Sequence, residues 1–187
     1  MNFTDYRDEA YRTAKEHGFH EQYHSDDHLK CLVISELMEA VEADRQGKRA
    51  NIRAFNTRHV VGKGSSCETL SYGYNFRLCI KDTVEDELAD ACIRLFDLAG
   101  VRGIDIFFSG RRAEEIDPQK RFTENILTIT RFISGGTGDH DDLMIRISYG
   151  LSMIFTLAED LGIDIQKHIE LKMEYNSSRP HKHGKGY

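Results

Sequence analysis

Proline is nearly absent from this chain, with two residues among 187, Pro118 and Pro180. Because proline breaks helices, its scarcity favours long uninterrupted helices. The four cysteines form no Cys-x-x-Cys pair, so the sequence lacks the short motifs of many zinc and redox sites. No apolar run approaches the length of a membrane-spanning helix. The sequence therefore predicts a helical protein that does not span a membrane.

Acidic residues outnumber basic ones, 31 to 25, which gives a formal net charge of −6 at pH 7. A general nucleic-acid-binding protein would usually be basic, so the charge argues against that class. Small phosphorylated ligands are not excluded, because a bound metal ion reverses the local sign of the charge. Hydrophobic residues make up 40% of the chain, an ordinary globular value, and the length predicts one domain over residues 1–187.

The cysteines and the first residues both indicate a reduced, cytosolic setting. Cys31 and Cys92 lie in helical patterns and are predicted to be buried free thiols. Residues 1–9 are polar and lack the apolar core of a secretory signal. We therefore expect the protein to be cytoplasmic.

Capping residues and glycines divide the chain into six predicted helices. These helices run from about Thr4 to His17, from Ser25 or Asp26 to before Gly47, from Thr83 to near Gly100, from Asp117-Pro118 to Gly135-Gly136, from about Asp139 to Asp160, and from Asp164 to about Asn176. Residues 48–82 are predicted to form a long loop, and the basic tail 180–187 is expected to be mobile unless a ligand orders it. The predicted fold class is all-α, with a helical bundle as the simplest architecture.

Two pairs of acidic residues at helical spacing are the most informative feature of the sequence. Glu36-x-x-Glu39 and Glu87-x-x-Asp90 each continue the apolar stripe of a predicted helix, where carboxylates are normally excluded. Residues three apart are neighbours on one helix face, so each helix presents two carboxylates together. Charged residues at this spacing are also common on solvated faces, and one such pair alone means little.

A divalent cation is the natural partner for four carboxylates that face inward. Without positive charge between them, they would repel and raise each other's pKa. Mg²⁺ is the leading candidate because it prefers oxygen ligands. The residue pattern thus leaves two alternatives, a buried metal site and a pair of solvated helix faces.

Three segments of the chain resemble the MazG-like nucleoside triphosphate pyrophosphohydrolases. Residues 34–40 (ISELMEA) and 82–90 (DTVEDELAD) are similar to the family's hallmark, Glu-x-x-Glu followed by Glu-x-x-Asp on two neighbouring helices. Residues 172–185 resemble the ending of a subset of the family. The resemblance covers roughly residues 5–48, 80–105 and 163–187, and the combined signal is much more specific than either acidic pair.

The resemblance implies an all-α fold of the nucleoside triphosphate pyrophosphatase type. It implies hydrolysis of a nucleoside or deoxynucleoside triphosphate to the monophosphate and pyrophosphate, with Mg²⁺ as the metal and Mn²⁺ as a substitute. The metal-binding and catalytic carboxylates would be Glu36, Glu39, Glu87 and Asp90, and the substrate-binding residues would be Lys172, Asn176 and Arg179. The resemblance also implies a role in nucleotide-pool control or removal of aberrant nucleotides, and a homodimer in which the bundle is completed across subunits. The alternative is that the inserted helices complete the bundle within one chain.

The chain departs from the family pattern in two places. The loop between the acidic pairs is longer than usual, since Glu39 and Glu87 are 48 residues apart in the sequence (87 − 39). The helices predicted over about 118–161 resemble an insertion before the last helix. Both departures leave the motif residues in place but could reshape the pocket for the base. For Lys172, Asn176 and Arg179, a solvated helix end is the competing interpretation.

Other functional classes receive less support from the sequence. His20-Glu21-Gln22-Tyr23-His24 matches His-Glu-x-x-His, but this zinc motif requires a helix, and the segment is predicted to be a loop. A di-iron bundle would require Glu-x-x-His on two helices, which the acidic pairs lack. The main alternative is a non-catalytic helical module that binds a nucleotide or a protein partner through the same acidic cleft.

Overall fold

The structure is a computed structural model that describes residues 2–61, 72–136 and 138–181, without the side chains of residues 58–61. Regular secondary structure in these residues consists of eight helices, and no strand occurs among them. The helices are α1 (Phe3–Glu16), α2 (Asp26–Arg45), α3 (Ile52–Val61), α4 (Tyr72–Cys79), α5 (Val84–Arg102), α6 (Phe122–Ser134), α7 (His140–Asp160) and α8 (Ile165–Ser177). The predicted all-α helical bundle is confirmed. None of the described helices has both the length and the apolar character needed to cross a bilayer.

Side-chain caps set the start of the helices that carry the acidic pairs and of those that pack beside them. Ser25, Thr83, Asp139 and Asp164 are the N-caps of α2, α5, α7 and α8. Each side-chain oxygen accepts a hydrogen bond of 2.8–3.3 Å from the backbone N–H three residues later. Such a bond satisfies a donor that the first helical turn leaves unpaired. The starts predicted for these four helices are therefore confirmed.

Helices α2 and α5 pack against each other at the centre of the bundle. Helix α5 also contacts α1, α7 and α8, while α6 packs on α2 and on α7. The contact faces are apolar, and Val33 and Leu37 of α2 and Leu88 and Phe96 of α5 are fully buried in one continuous core. This arrangement places the two helices that carry the acidic pairs side by side.

The prediction of a long loop over residues 48–82 is wrong for the two stretches that form α3 and α4. Both helices are short, and their stability comes from tertiary packing. Phe76 of α4 stacks on Tyr175 of α8, with ring centroids 4.4 Å apart and an angle of 9° between the planes. These rings belong to a second, smaller apolar cluster. Residues 62–71 of the predicted loop and residues 182–187 of the basic tail lie outside the described residues.

Asp117-Pro118 does not start a helix, contrary to the prediction. The Asp117 carboxylate accepts a hydrogen bond from the backbone N–H of Gln119 at 2.9 Å, which closes a local turn. The amide of Asn125 then donates to the backbone carbonyl of Asp117 at 2.9 Å. Because these bonds fix the segment as a turn, α6 begins only at Phe122.

Two residues of α2 that were predicted to be buried are exposed, Cys31 and Glu39. Cys31 precedes the core residue Val33 by two positions, which corresponds to roughly 200° around a helix and points to the opposite side. Glu39 lies at the edge of the buried face, whereas Glu36 is 3% exposed. Cys92 is buried, as predicted.

The close crossing of α1 and α5 depends on Gly100. A Cβ atom at this position would lie 2.5 Å from Cβ of Tyr11, a distance that requires the backbones to move apart. We expect Gly100→Ala to lower the free energy of unfolding by about 1–3 kcal/mol, as overpacking does. Gly73→Ala is the matched control, because its Cβ would meet nothing closer than 3.6 Å and a helical alanine costs less than glycine. Equal stability of the two variants in urea denaturation would contradict this account.

Candidate functional site

Helices α2 and α5 bring three of the four predicted acidic residues together. Carboxylate oxygens of Glu36, Glu39 and Glu87 lie within 4.8 Å of one another. Glu36 and Glu87 are 3% and 4% exposed, while Glu39 closes the group from the solvent side. The fourth residue, Asp90, is not part of this group. Three oxygen donors on two helices therefore face a common point.

The buried carboxylate of Glu87 lacks partners for its charge among the described residues. Within the described part of the chain it forms no hydrogen bond and no ion pair, although it is almost fully buried. Burial raises the pKa of Glu87 to about 9, and the nearby charges of Asp90 and Asp86 add to this increase. In the absence of a cation, Glu87 therefore retains a proton at neutral pH. A buried carboxylate held in this way is typical of a functional site rather than of a packed core.

Lys172 of α8 supplies a positive charge on one side of the acidic group. Its ammonium lies 2.8 Å from Asp86 and 2.7 Å from Asp90, and all three side chains have little solvent exposure. Burial alone would raise the pKa of Asp90, but the charge of Lys172 and its hydrogen bond lower it below the ordinary value. Burial raises the pKa of Asp86 to about 6 despite the same lysine. A solvated helix end is therefore the wrong interpretation for Lys172, which is 3% exposed.

Arg94 supplies a second positive charge and was not among the residues predicted from the sequence. Its guanidinium donates a hydrogen bond of 3.1 Å to the carboxylate of Glu36. Arg94 follows Asp90 by four residues, so the i, i+4 spacing on α5 was a signal for it. Asp86, which precedes Asp90 by the same spacing, was likewise not predicted from the sequence.

These two cations offset only part of the negative charge. With Arg179, whose charge also acts on Asp90, three cations stand against five carboxylates, which leaves two negative charges in excess when all are ionised (5 − 3). The five carboxylates belong to Glu36, Glu39, Asp86, Glu87 and Asp90. Burying unpaired charges is costly, so the remaining charge requires protons or a further cation.

A second set of acidic oxygens is less suited to a metal ion. Oxygens of Asp82, Asp86 and Glu87 also lie within 4.8 Å of one another. However, Asp86 accepts a hydrogen bond of 3.0 Å from the backbone N–H of Asp82 and pairs with Lys172. Asp82 pairs with Lys81. Because two of its three carboxylates already have partners, this set has fewer oxygens to offer than the first.

A cleft between α1, α5 and α8 adjoins the acidic group through Glu36, and Asp90 is also part of its wall, whereas Glu39 and Glu87 line a separate hollow. Arg94 and two of the predicted substrate-binding residues, Asn176 and Arg179, also line it. The remaining wall is mainly apolar and includes the ring of Phe19. Convergent polar groups on an apolar wall are typical of small-molecule sites. Asn176 is 8% exposed, so a solvated helix end is the wrong interpretation for this residue too.

The His-Glu-x-x-His segment does not form a helical zinc motif. Residues 20–24 lie in the connection between α1 and α2 rather than in a helix. Nε2 of His20 lies 2.7 Å from the carboxylate of Asp97, and Nε2 of His24 lies 3.2 Å from the backbone carbonyl of Phe19. The two rings therefore have separate partners, and the zinc interpretation finds no support in this geometry.

Comparison of the chain with protein-family models, with curated proteins and with solved structures finds no match in any of the three. The geometry of the acidic group and its cleft is therefore the basis for a functional assignment.

Proposed function

We propose that this protein is a Mg²⁺-dependent nucleoside triphosphate pyrophosphohydrolase of the MazG-like type. It would hydrolyse a nucleoside or deoxynucleoside triphosphate to the monophosphate and pyrophosphate. The observation that carries the proposal is Glu87, a buried carboxylate without a hydrogen bond or an ion pair in the described residues, which faces the oxygens of Glu36 and Glu39. A site of this kind is stable in its ionised form only with a cation.

The donor set fits a hard divalent cation. Glu36, Glu39 and Glu87 would hold it, since Mg²⁺ and Mn²⁺ both favour carboxylate oxygens and Mg²⁺ often binds through a few carboxylates together with substrate phosphates. When bound, the cation would neutralise phosphate charge and lower the pKa of the attacking water. Asp90, the fourth carboxylate of the motif, would act by holding Lys172 against the site at 2.7 Å.

The remaining residues would bind the triphosphate and orient the water. Arg94 and Arg179 line the cleft beside the acidic group, where guanidinium groups suit phosphate oxygens. Lys172 would support the site from within, because both of its described ion pairs are to carboxylates. Glu39 is exposed and has no hydrogen bond to another described residue, so the carboxylate oxygen that does not hold the cation would be available to orient or deprotonate the water.

The proposal extends to a homodimer and to nucleotide-pool control, both of which rest on the family resemblance. Helices α6 and α7 already cover α2 and α5 within one chain. A second copy would therefore have to use another face of the molecule. Light scattering in solution would determine the oligomeric state, and a monomer at all concentrations would contradict the proposed dimer.

Pyrophosphate release tests the proposed reaction. We expect a panel of ribo- and deoxynucleoside triphosphates to yield the monophosphate and pyrophosphate in the presence of Mg²⁺. Replacing Mg²⁺ by EDTA is expected to reduce the rate at least about 100-fold, because the metal supplies charge neutralisation and an activated water. Release of orthophosphate instead of pyrophosphate, or a rate that does not depend on metal, would contradict the proposal. No turnover of any triphosphate would favour the non-catalytic binding module.

A further inference from the structure

The cleft beside the acidic group has walls that suit a flat ring. Its apolar surface comes from three helices and the connection after α1, through Ala10, Ala14, Phe19, Ile93 and Met173. The guanidinium of Arg94 lies 5.9 Å from the centre of the Phe19 ring, which fixes one side of the cleft. An aromatic ring with small aliphatic neighbours is a surface on which a heteroaromatic base can stack.

Two polar groups in this cleft have unused hydrogen-bonding capacity. Asp97 is 6% exposed, and one of its oxygens accepts a hydrogen bond from Nε2 of His20 at 2.7 Å. The second oxygen has no partner among the described residues. Asn176 is 8% exposed, its amide oxygen faces Arg179 at 3.5 Å, and its NH₂ group donates to no described residue. The cleft thus offers one acceptor and one donor on two largely buried residues, and a base seated on them would make it costly to leave either unpaired, because it removes their remaining contact with water.

The positions of these groups along the helices give the cleft a direction. Glu87, Asp90, Arg94 and Asp97 follow each other at intervals of three or four residues on α5, so they share one face. Asp97 lies about 10 Å along the helix axis from Asp90, at the end that is farthest from the acidic group. Asn176 is one turn from Lys172, which pairs with Asp90, and so lies between the two ends.

We infer that Asp97 and Asn176 select a nucleobase in which an exocyclic amino group adjoins a ring nitrogen acceptor, as in cytosine and adenine. The inference rests on the proposed function, which places the phosphates at the acidic end of the cleft. The distal edge of the base then meets Asp97, whose open oxygen accepts from the amino group, and the NH₂ of Asn176 donates to the ring acceptor. Uracil and hypoxanthine carry a carbonyl oxygen in place of the amino group, which would place an oxygen against the carboxylate.

Two matched substrate pairs test this selection, CTP against UTP and ATP against ITP, because the members of each pair differ by one amino-to-oxo exchange. With Mg²⁺ we expect kcat/KM to favour the amino member of each pair by about tenfold or more. A site that hydrogen-bonds one base discriminates strongly against a base that would leave the site's buried polar groups unpaired. Asp97→Asn replaces an acceptor by a donor and is expected to abolish or reverse the preference. Asp141→Asn, at an exposed position of α7, is the control and should leave both ratios unchanged.

Binding of the monophosphates in EDTA separates this inference from the proposed reaction. Thermal shifts with CMP against UMP, and with AMP against IMP, do not require hydrolysis. If no triphosphate is hydrolysed but CMP and AMP bind better and Asp97→Asn removes the difference, the reaction is wrong and the selection stands. Equal binding and equal turnover of the amino and oxo members would overturn the inference, as would ratios that Asp97→Asn leaves unchanged.

Discussion

Replacing Glu87 by glutamine is expected to stabilise the metal-free protein at pH 7. The pKa of Glu87 is about 9 in the folded state against an ordinary value of 4.5. A carboxyl group whose pKa is higher in the folded state than in the unfolded state stabilises the fold most at pH values below the unfolded-state pKa. This contribution decreases as the pH rises and is lost once the pH exceeds the folded-state pKa. From pH 4.5 to pH 7 the free energy of unfolding therefore falls by about 1.4 kcal/mol for each pH unit, which amounts to about 3 kcal/mol. Glutamine resembles the protonated form and avoids this cost.

Urea denaturation in EDTA at several pH values measures the effect. The difference between Glu87→Gln and the wild type should be absent near pH 4, reach about 3 kcal/mol at pH 7, and increase further towards pH 9. At pH 7 it corresponds to a rise in melting temperature of roughly 6–12 °C. Glu114→Gln, at an exposed position, is the control that should show no such dependence. A Glu87→Gln variant that is less stable than the wild type at pH 7 would assign Glu87 a structural role.

The same substitution is expected to remove the response to metal. Glu87→Gln takes away the charged ligand that the cation would neutralise, so Mg²⁺ should no longer raise the melting temperature. Pyrophosphate release should fall at least about 100-fold, since even indirect ligand contacts account for 10–100-fold effects. The combination of higher metal-free stability with lost turnover is specific to a functional carboxylate. Normal turnover in the variant would exclude Glu87 from the site.

Replacing Lys172 by methionine is expected to be strongly destabilising. The side chain keeps its length and apolar stem, but Asp86 and Asp90 lose the ammonium that lies within 2.8 Å of both. Removing one partner of a buried ion pair leaves an uncompensated charge and costs about 3–5 kcal/mol. The free energy of unfolding from urea denaturation at pH 7 should fall by this amount.

Two further variants show whether the loss comes from the buried charges. Lys167→Met, at an exposed position of the same helix, should change the free energy of unfolding by less than about 0.5 kcal/mol. Adding Asp86→Asn to Lys172→Met should restore part of the lost stability, because it removes one of the two unpaired charges. If Lys172→Met were as stable as Lys167→Met, the buried ion pairs would not support the site.

Local chemistry explains which helices could be predicted from the sequence. Ser25, Thr83 and Asp164 cap their helices through bonds to residues three positions away, so a short stretch of sequence contains the whole signal. Helix α4 could not be predicted in this way, because Phe76 packs on Tyr175, a residue 99 positions later (175 − 76). The helix start predicted at Asp117-Pro118 was wrong for a related reason, because the amide of Asn125 holds this segment in a turn.

The candidate site was predictable where its residues are regularly spaced along a single helix. The spacing of Glu36 with Glu39 and of Glu87 with Asp90 identified α2 and α5, and the structure brings three of these four together. The spacing did not show that Asp90 turns towards Lys172, because that contact joins α5 to α8. Asp97 and His20 had no sequence signal for the same reason: their hydrogen bond connects residues 77 positions apart.

The central claim is that Glu36, Glu39 and Glu87 bind a divalent cation, and anomalous diffraction from crystals soaked in millimolar Mn²⁺ tests it most directly. We expect an anomalous peak between the three carboxylates, within coordination distance of an oxygen from each. A crystal of Glu87→Gln treated in the same way should show no peak there. An empty acidic group in the wild type, or an ion bound instead by Asp82 and Asp86, would contradict the account.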